Sequence, residues 1–304
     1  LLSRGLGDVY KRQTLDEGGK LLTGGDITAA AVMLEGLGAD AVGFNCGLGP
    51  AQMQKLLPQL LAATPLPVVL NPNAGLPKEV NGKTVFDVDA EEFSQLMYAM
   101  AQDGCLAIMG GCCGTTPAHI RSLTKRCAGI APLPITQKRS TVASSYARAV
   151  RFGEGKPVLI GERINPTGKK RFQQALREGD MNYVLEQAVS QAEAGAQVLD
   201  VNVGAPGVDE PVLMEQVVKA LQSVTSLPLQ LDSSNVEALA RGLRVYNGKP
   251  IVNSTNGEPE KLAAILPLCK KYGAAIVGLA IDEKGIQPKA ADRVAIARRI
   301  TEAA

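Results

Sequence analysis

Short apolar runs alternate with amphipathic segments along this chain of 304 residues, and that alternation constrains the fold more than any other feature. The candidate strands are DAVGFN, LPVVLNP and LAIMGG, then KPVLIGERI, AQVLDVNVG, LPLQLDSS, KPIVNST and AAIVGLAID. Between them, segments such as PAQMQKLLPQLLAAT repeat their apolar residues at helical spacing. Strands that are apolar throughout and alternate with helices are typical of a parallel sheet covered on both faces. We therefore predict an α/β fold, either a doubly wound sheet or a (β/α)8 barrel.

Polar and glycine-rich residues follow the candidate strands, in FNCG, NPNAG, GGCCG, GERINPTG, DVNVGAP, LDSSN and NSTNG. In a (β/α)8 barrel, the carboxyl ends of the strands form the face that carries the active site. A doubly wound nucleotide-binding sheet would instead carry one glycine-rich phosphate loop near its first strand. Neither that motif after a strand nor a P-loop motif occurs here. The pattern therefore favours TIM-type barrels.

The helical pattern breaks at residues 129–156, where proline, serine and basic residues predominate, and this indicates a linker. Three or four candidate strands precede the break and five follow it, which is too few on either side to close an eight-stranded barrel. We predict two (β/α)8 TIM-type barrels, each only partly covered by this chain. The C-terminal half of the first would lie at 14–128, and the N-terminal part of the second at 157–304.

Residues 1–13 show no clear strand or helix period and resemble translated adapter sequence, so we predict a non-native leader. No run of about 18 apolar residues and no secretory signal is present, which makes the cytoplasm the expected compartment. A formal net charge of +2 gives no reason to expect a nucleic-acid or membrane partner. In a reducing compartment, the six cysteines are not expected to form a disulfide framework.

Two adjacent cysteines, Cys112 and Cys113, follow one candidate strand, and Cys46 follows another. All three should lie at the same face of a barrel. Zinc favours such a set, and a site with three protein ligands leaves a fourth position open for a substrate. Gly110, Gly111 and Gly114 would supply the backbone angles that turn both thiols toward one ion, and His119 is expected just inside the next helix rather than as a ligand.

Two other interpretations of the cysteines stay open at this point. A disulfide between neighbouring residues would need a strained geometry, because their Cα atoms are only about 3.8 Å apart. Free cysteines are also often simply buried side chains, and that interpretation is the stronger one for Cys105, Cys127 and Cys269, which lie among apolar neighbours.

Two sets of motifs carry a family resemblance. GFNCGLGP, NPNAG, NGKTV and GGCCGTTPAHI resemble the homocysteine-binding domain of cobalamin-dependent methionine synthases, a domain type shared with betaine–homocysteine methyltransferases. IGERINPTGKKRF, GAQVLDVNVGAP, LPLQLDSSN and IVNSTNG resemble the pterin-binding methyltetrahydrofolate domain that follows it in that family. The resemblance extends from about Thr14 to the end of the sequence.

For the first domain, the resemblance implies a zinc ion bound by Cys46, Cys112 and Cys113. It also implies Asn73 as an exchangeable fourth ligand that gives way to the sulfur of homocysteine. The chemistry agrees with this assignment, because a thiol with a pKa of about 8.5 is a poor nucleophile at neutral pH until a cation stabilises its thiolate.

For the second domain, the resemblance implies that Glu162, Asp200, Asn202, Asp232 and Asn253 line the pterin site. Asp200 and Asn202 are two residues apart on a strand, so both side chains should point to the same side. A single Asp or Asn at a strand end is often only a turn or cap residue. Several of them on successive strand ends favour a binding role.

The resemblance implies methyl transfer from 5-methyltetrahydrofolate through cobalamin to homocysteine, giving methionine and tetrahydrofolate. The cobalamin-binding domain would be supplied in cis or in trans, outside these residues. We expect this piece alone to be inactive or poorly folded, because open half-barrels expose unpaired strand edges. Two alternatives remain: a pterin enzyme similar to dihydropteroate synthase, and a non-catalytic scaffold with a structural zinc.

Overall fold

The structure is a computed structural model that describes residues 10–134, 140–153 and 155–304. These residues form two compact units, which divide between residues 139 and 140. The division falls within the segment 129–156 that the sequence predicts to be a linker. Outside the described residues lie 1–9 of the predicted leader and 135–139 and 154 of the predicted linker.

The first unit contains a parallel sheet of four strands and a separate antiparallel hairpin. Its described strands are β1 (Tyr10–Gln13), β2 (Ala41–Asn45), β3 (Val68–Asn71), β4 (Lys78–Val80), β5 (Lys83–Val85) and β6 (Leu106–Met109). Its described helices are α1 (Ile27–Gly36), α2 (Pro50–Ala63), α3 (Ala90–Ala101) and α4 (Pro117–Cys127). The sheet order is β1, β2, β3, β6, with β4 and β5 forming the hairpin.

The core of the first unit lies between this sheet and its helices. Phe44 of β2 and Leu70 of β3 are buried against Met53 of α2 and against Phe93 and Met97 of α3. Successive residues of β2 and β3 are buried whichever way they point. Burial on both faces is the reason that these strands are apolar throughout rather than alternating.

Tyr10–Gln13 forms strand β1, although this segment shows no clear strand or helix period and belongs to the predicted leader. These four residues pair in parallel with β2, from Tyr10 opposite Ala41 to Gln13 opposite Phe44. The sequence YKRQ gives no apolar signal because this strand lies at the edge of the sheet, where backbone hydrogen bonds suffice for pairing.

The second unit contains a parallel sheet of five strands and another antiparallel hairpin. Its described strands are β7 (Thr141–Ser144), β8 (Ala149–Phe152), β9 (Ile160–Ile164), β10 (Val198–Val201), β11 (Leu229–Asp232), β12 (Ile251–Asn256) and β13 (Ala275–Leu279). Its described helices are α5 (Lys170–Glu178), α6 (Met181–Glu193), α7 (Glu210–Val224), α8 (Val236–Val245), α9 (Pro259–Tyr272) and α10 (Ala290–Ala303). The sheet runs from β9 to β13 in chain order.

The predicted α/β class with parallel sheets is confirmed in both units. Neither sheet closes into a barrel among the residues that the structure describes. No helix in the same residues is both long enough and apolar enough to cross a membrane.

The hairpin of β7 and β8 lies inside the segment predicted to be a linker, yet it packs against the second sheet. Val142 and Ala143 are fully buried. The backbone amide of Ser144 donates to the Lys249 carbonyl at 2.8 Å, and the Lys249 amide donates back at 2.9 Å. The Tyr246 hydroxyl also donates to the Ser144 carbonyl, at 2.8 Å. The small residues of this segment hide its apolar alternation, which is why the sequence does not reveal the hairpin.

We predict that Tyr246→Phe lowers the free energy of unfolding of the second unit by about 1–3 kcal/mol. The Tyr246 hydroxyl accepts from the Leu229 amide at 3.1 Å while it donates to Ser144, so its removal deprives the buried Leu229 amide of this partner, whereas the Ser144 carbonyl still accepts from Lys249. Urea denaturation followed by circular dichroism measures the change. Tyr272→Phe removes the same hydroxyl outside this junction and serves as the control. Equal stability of the two variants would contradict a stabilising role for the Tyr246 hydroxyl.

Candidate functional site

The side chains of Cys46, Cys112 and Cys113 meet at the carboxyl ends of β2 and β6. Their three Sγ atoms lie within 4.8 Å of one another. The Sγ atoms of Cys46 and Cys113 are 3.6 Å apart, and those of Cys112 and Cys113 are 3.9 Å apart. We call these three side chains the thiol cluster. The structure therefore brings together residues that are 67 positions apart in the sequence.

The loop after β3 holds the thiol cluster in place through backbone hydrogen bonds. The Cys46 amide donates to the Asn71 carbonyl at 3.0 Å, and the Cys112 amide donates to the Pro72 carbonyl at 2.8 Å. Asn73 is 3 % exposed, and its Oδ1 accepts from the Cys113 amide at 3.2 Å. The predicted fourth ligand therefore borders the cluster from a buried position.

Cys46 has a left-handed backbone conformation, with φ of 61°. A residue with a Cβ atom pays roughly 1–2 kcal/mol for this conformation, and glycine is the usual choice there. Strain of this kind is concentrated at functional sites, where a particular side chain is required. The cysteine is retained at a position that glycine would fit better, which supports a role for its thiol.

The glycines around the cysteine pair act differently from the prediction. Of Gly110, Gly111 and Gly114, only Gly114 has a left-handed φ, of 78°. Gly111 is needed for space, because a Cβ atom there would lie 2.5 Å from the Thr115 side chain. At Gly114, a Cβ atom would overlap the Phe86 ring. Close packing therefore explains Gly111, and close packing together with a left-handed backbone explains Gly114.

The thiols of the cluster differ in their tendency to ionise. Burial acts to raise the pKa of Cys46, but hydrogen bonds from the Gly47 backbone and from Cys112, Cys113 and Asn73 outweigh it and lower that pKa. Hydrogen bonding to Cys46 and Cys112 raises the pKa of Cys113 to about 11. Without a cation, the cluster therefore keeps at least part of its protons, because adjacent thiolates repel one another.

The remaining cysteines lie elsewhere as free thiols. Cys105 donates from its Sγ to the Met100 carbonyl at 2.9 Å, and burial raises its pKa. Cys127 packs against the core of the first unit, and Cys269 is buried in the core of the second. Their surroundings agree with the interpretation that they are packing residues. His119 lies in the first turn of α4, as predicted, but it is buried.

In the second unit, Asp200 is the centre of a polar cluster at the carboxyl end of the sheet. Its Oδ1 accepts from Gln230 Nε2 at 2.5 Å and from Asn253 Nδ2 at 3.2 Å. The residue is 2 % exposed, and its Oδ2 is buried without a hydrogen-bond partner. A buried carboxylate oxygen without a partner is costly in a native protein.

The other predicted residues surround Asp200. Asn202 donates from Nδ2 to Asp232 Oδ2 at 2.9 Å, and its Oδ1 accepts from the Gly204 amide. Glu162 is exposed and accepts from Asn165 Nδ2 at 3.1 Å. This end of the sheet therefore carries two hydrogen-bonded pairs, Asp200 with Asn253 and Asn202 with Asp232, and the Glu162 carboxylate lies outside both pairs.

Burial raises the pKa of Asp200, and hydrogen bonds from Gln230 and Asn253 only partly offset it. Burial also raises the pKa of Asp232. The charge of Glu162 adds to both increases. The three carboxylates therefore concentrate negative potential, which would favour a cationic or hydrogen-bond-donating ligand.

Two cavities open at this end of the second unit. Asp232 and Asn253 border a cavity of about 200 Å³, and Asn202 borders one of about 520 Å³. Ser233 and Ser234 border both. Asn202, Asp232 and Asn253 therefore lie beside open space rather than in closed turns.

Gln230 and Asn165 belong to this cluster, although the sequence analysis did not select them. Gln230 is two residues before Asp232 on β11, so strand alternation places both side chains on the same face. That spacing was a usable signal. No sequence pattern indicated Asn165, because its contact with Glu162 depends on the turn after β9.

Comparison with known proteins gives two family matches. Residues 8–127 match the model of the homocysteine S-methyltransferases, and residues 161–303 match that of the pterin binding enzymes. The first match includes the thiol cluster and Asn73. The second includes all five residues predicted to bind a pterin.

Two methionine synthases and one solved structure are among the proteins to which this chain is similar. The methionine synthase of Mycobacterium tuberculosis is 35% identical over an alignment of 299 residues. The match covers 96% of this chain and 25% of the relative. The methionine synthase of Mycobacterium leprae is 33% identical over an alignment of 303 residues, and this match also covers 96% of this chain and 25% of the relative. The crystal structure of the homocysteine methyltransferase MmuM from Escherichia coli, in its oxidized form, is 28% identical. It covers 41% of this chain and 38% of that one, with a TM-score of 0.32.

The chain spans about a quarter of the length of the curated relatives it matches. One alignment covers 96% of this chain, so it includes most of both family matches. The first unit resembles homocysteine S-methyltransferases and the second resembles pterin-binding enzymes, and together they confirm the resemblance to methionine synthases that the motifs indicated.

Proposed function

We propose that this chain takes part in methyl transfer from 5-methyltetrahydrofolate, through cobalamin, to homocysteine, giving methionine and tetrahydrofolate. The observation that carries the proposal is the thiol cluster, which lies in the unit that matches homocysteine S-methyltransferases. The pterin-type match of the second unit supplies the other half of the same reaction in one chain.

The spacing of the thiol cluster fits zinc. With Zn–S bonds of about 2.3 Å, two sulfurs of a tetrahedral site lie about 3.8 Å apart. The observed separations of 3.6 and 3.9 Å lie on either side of that value. Cys46, Cys112 and Cys113 would therefore hold the ion with little rearrangement. When bound, zinc would lower the pKa of the homocysteine thiol and so supply its nucleophilic thiolate.

Asn73 is suited to be the exchangeable fourth ligand. Its side chain is buried beside the cluster and interacts with both Cys46 and the Cys113 amide. A neutral amide oxygen is a weaker ligand for zinc than a thiolate. The sulfur of homocysteine would therefore displace Asn73, which keeps a hydrogen-bond partner in the Cys113 amide.

The fit of a pterin depends on the polar cluster of the second unit. A pterin edge presents N–H donors, and Asp200 Oδ2 is a buried acceptor that lacks one. Asp232 and Asn253 border a cavity, Asn202 donates to Asp232, and Glu162 lies near enough for its charge to act on both Asp200 and Asp232. The concentrated negative charge would favour a protonated N5, which must carry positive charge before its methyl group can leave.

Strand order supports a barrel architecture for both units. The strands of each parallel sheet follow the chain, whereas a doubly wound sheet reverses its order at a switch point. We propose that each sheet is part of a (β/α)8 barrel. The homocysteine-binding part would include residues 10–128, and the pterin-binding part would include the hairpin from Thr141 as well as 157–304.

Cobalamin, bound by a separate module in cis or in trans, is the proposed methyl carrier between the two substrates. The contribution of this chain is to hold each substrate at the carboxyl end of a sheet. A dihydropteroate-synthase-like function would give the thiol cluster no purpose, and a structural zinc would not require an exchangeable ligand.

We predict that Cys46→Ser, Cys112→Ser and Cys113→Ser each weaken zinc binding by more than about a hundredfold, which exceeds the usual effect of losing an outer-shell partner. Each variant removes one of three thiolates that the chain offers to a single ion. Competition with a chromophoric chelator measures the affinity in the 304-residue chain. Cys127→Ser removes a thiol outside the cluster and should leave the affinity unchanged. Loss of zinc in Cys127→Ser but not in Cys46→Ser would overturn the ligand assignment.

We predict opposite effects of Asp200→Asn on stability and on ligand binding. The amide oxygen of asparagine can still accept from Gln230 and Asn253. Its NH2 group, however, replaces Oδ2 and puts a hydrogen-bond donor where the pterin needs an acceptor. Binding of 5-methyltetrahydrofolate should therefore weaken at least about tenfold, as expected for loss of a hydrogen bond to a charged group. Isothermal titration calorimetry measures this change. Unaltered affinity would contradict the role of Oδ2 as an acceptor.

The stability effect of the same variant depends on pH. Because the pKa of Asp200 is raised in the folded state, its favourable contribution is present below the unfolded pKa and is lost as pH rises through the folded pKa. Asp200→Asn should therefore gain stability over the unsubstituted chain as pH rises from acid to neutral. Glu186→Gln makes the same charge change at an exposed site and should show no such trend.

A further inference from the structure

We infer that His119 is a positioning residue that fixes the two loops bearing the predicted zinc ligands relative to each other. The inference rests on the proposed zinc site and adds a role for the only histidine in the chain. His119 does not belong to the thiol cluster, and it is 8 % exposed. Its function follows from the contacts of its two ring nitrogens.

Both nitrogens of His119 have partners, and these fix the proton. Nδ1 lies 3.2 Å from the Thr116 amide, which can only donate, so Nδ1 is the acceptor. Nε2 lies 3.0 Å from the Val88 carbonyl, which can only accept, so Nε2 carries the hydrogen. The ring is thus neutral, and Nδ1 also accepts from Thr116 Oγ1 at 2.9 Å. With both nitrogens engaged, His119 is not free to bind a metal.

These bonds connect two segments at a distance from the cluster. Val88 lies after the β4–β5 hairpin that follows the loop carrying Asn73, and Thr116 follows the loop that carries the cysteine pair. Closer to the cluster, the Ala74 amide donates to the Cys113 carbonyl at 2.9 Å, and the Val88 amide donates to the Ala74 carbonyl at 3.0 Å. A closed ring of hydrogen bonds results, in which the His119 side chain joins Thr116 to Val88, while the Asn73 side chain separately accepts from the Cys113 amide.

Packing holds the imidazole in this orientation. The Phe93 ring contacts it edge to face, with centroids 5.5 Å apart and an interplanar angle of 82°. Phe93 is fully buried in the core of the first unit. The core therefore fixes His119, His119 fixes the two loops, and the loops set the spacing of the sulfur atoms and of Asn73.

Two substitutions separate the roles of the two nitrogens. Asn at this position can still accept from Thr116 in place of Nδ1, but its side chain is too short to reach Val88. Gln has an amide nitrogen at about the reach of Nε2 and can donate to the Val88 carbonyl. His119→Asn therefore removes the hydrogen bond from position 119 to Val88 while the direct bonds between the loops remain, and His119→Gln preserves it.

The experiment measures zinc affinity of the 304-residue chain by chelator competition, and thiolate-to-cobalt charge-transfer absorption after cobalt substitution. We expect His119→Asn to weaken zinc binding at least about tenfold and to alter the cobalt spectrum, in line with other outer-shell partners. His119→Gln should restore both. Leu123→Ala, in the same helix and core, should lower the melting temperature while leaving affinity and spectrum unchanged.

The results distinguish the inference from the function on which it rests. If His119→Asn binds zinc as tightly as the unsubstituted chain, the positioning role is wrong, although the zinc site stands. If Leu123→Ala loses affinity to the same extent, His119 acts only through general stability, and the inference is equally wrong. If the unsubstituted chain binds no zinc, the proposed function fails. Should His119→Asn not fold, failure of a folded His119→Gln to retain affinity would overturn the inference.

Discussion

The central constraint in this molecule is that three thiols must be held close enough for their thiolates to share one cation, although those thiolates repel one another. Backbone hydrogen bonds from the loop after β3 supply the necessary frame, and they place Asn73 beside the sulfurs. The parallel sheet makes this possible because its strands all end on the same side. The strained backbone of Cys46 and the close packing at Gly111 and Gly114 are consequences of the same requirement.

The second unit applies the same architecture to a different kind of ligand. Its strands end in carboxylates and amides instead of thiols, and burial places one oxygen of Asp200 where no protein donor reaches it. Both sites therefore hold groups that are unfavourable until a ligand arrives: protonated, crowded thiols in one unit and a buried carboxylate in the other. In the proposed function, binding energy from the ligand would offset the instability that each unit accepts on folding.

Much of this arrangement could be predicted from the sequence because strand ends carry clear signals. The cysteines after two apolar runs identified the first cluster directly, whereas the polar residues after four other runs were assigned to the second cluster through the family resemblance. Features that depend on backbone pairing were missed, namely strand Tyr10–Gln13 and the hairpin from Thr141 to Phe152. The contacts of His119 were also beyond prediction, because Val88 lies 31 residues away and contributes only its carbonyl group. The identity of a residue says little about which hydrogen-bond partners its backbone groups will have.

The central claim is that the cysteines form an open zinc site that exchanges one ligand for homocysteine. X-ray absorption at the zinc edge of the zinc-loaded chain, with and without added homocysteine, tests it most directly. The account predicts three sulfur neighbours and one oxygen neighbour for the chain alone, and four sulfur neighbours after homocysteine is added. A zinc coordination shell that stays the same in both samples would show a closed structural site and would contradict the account.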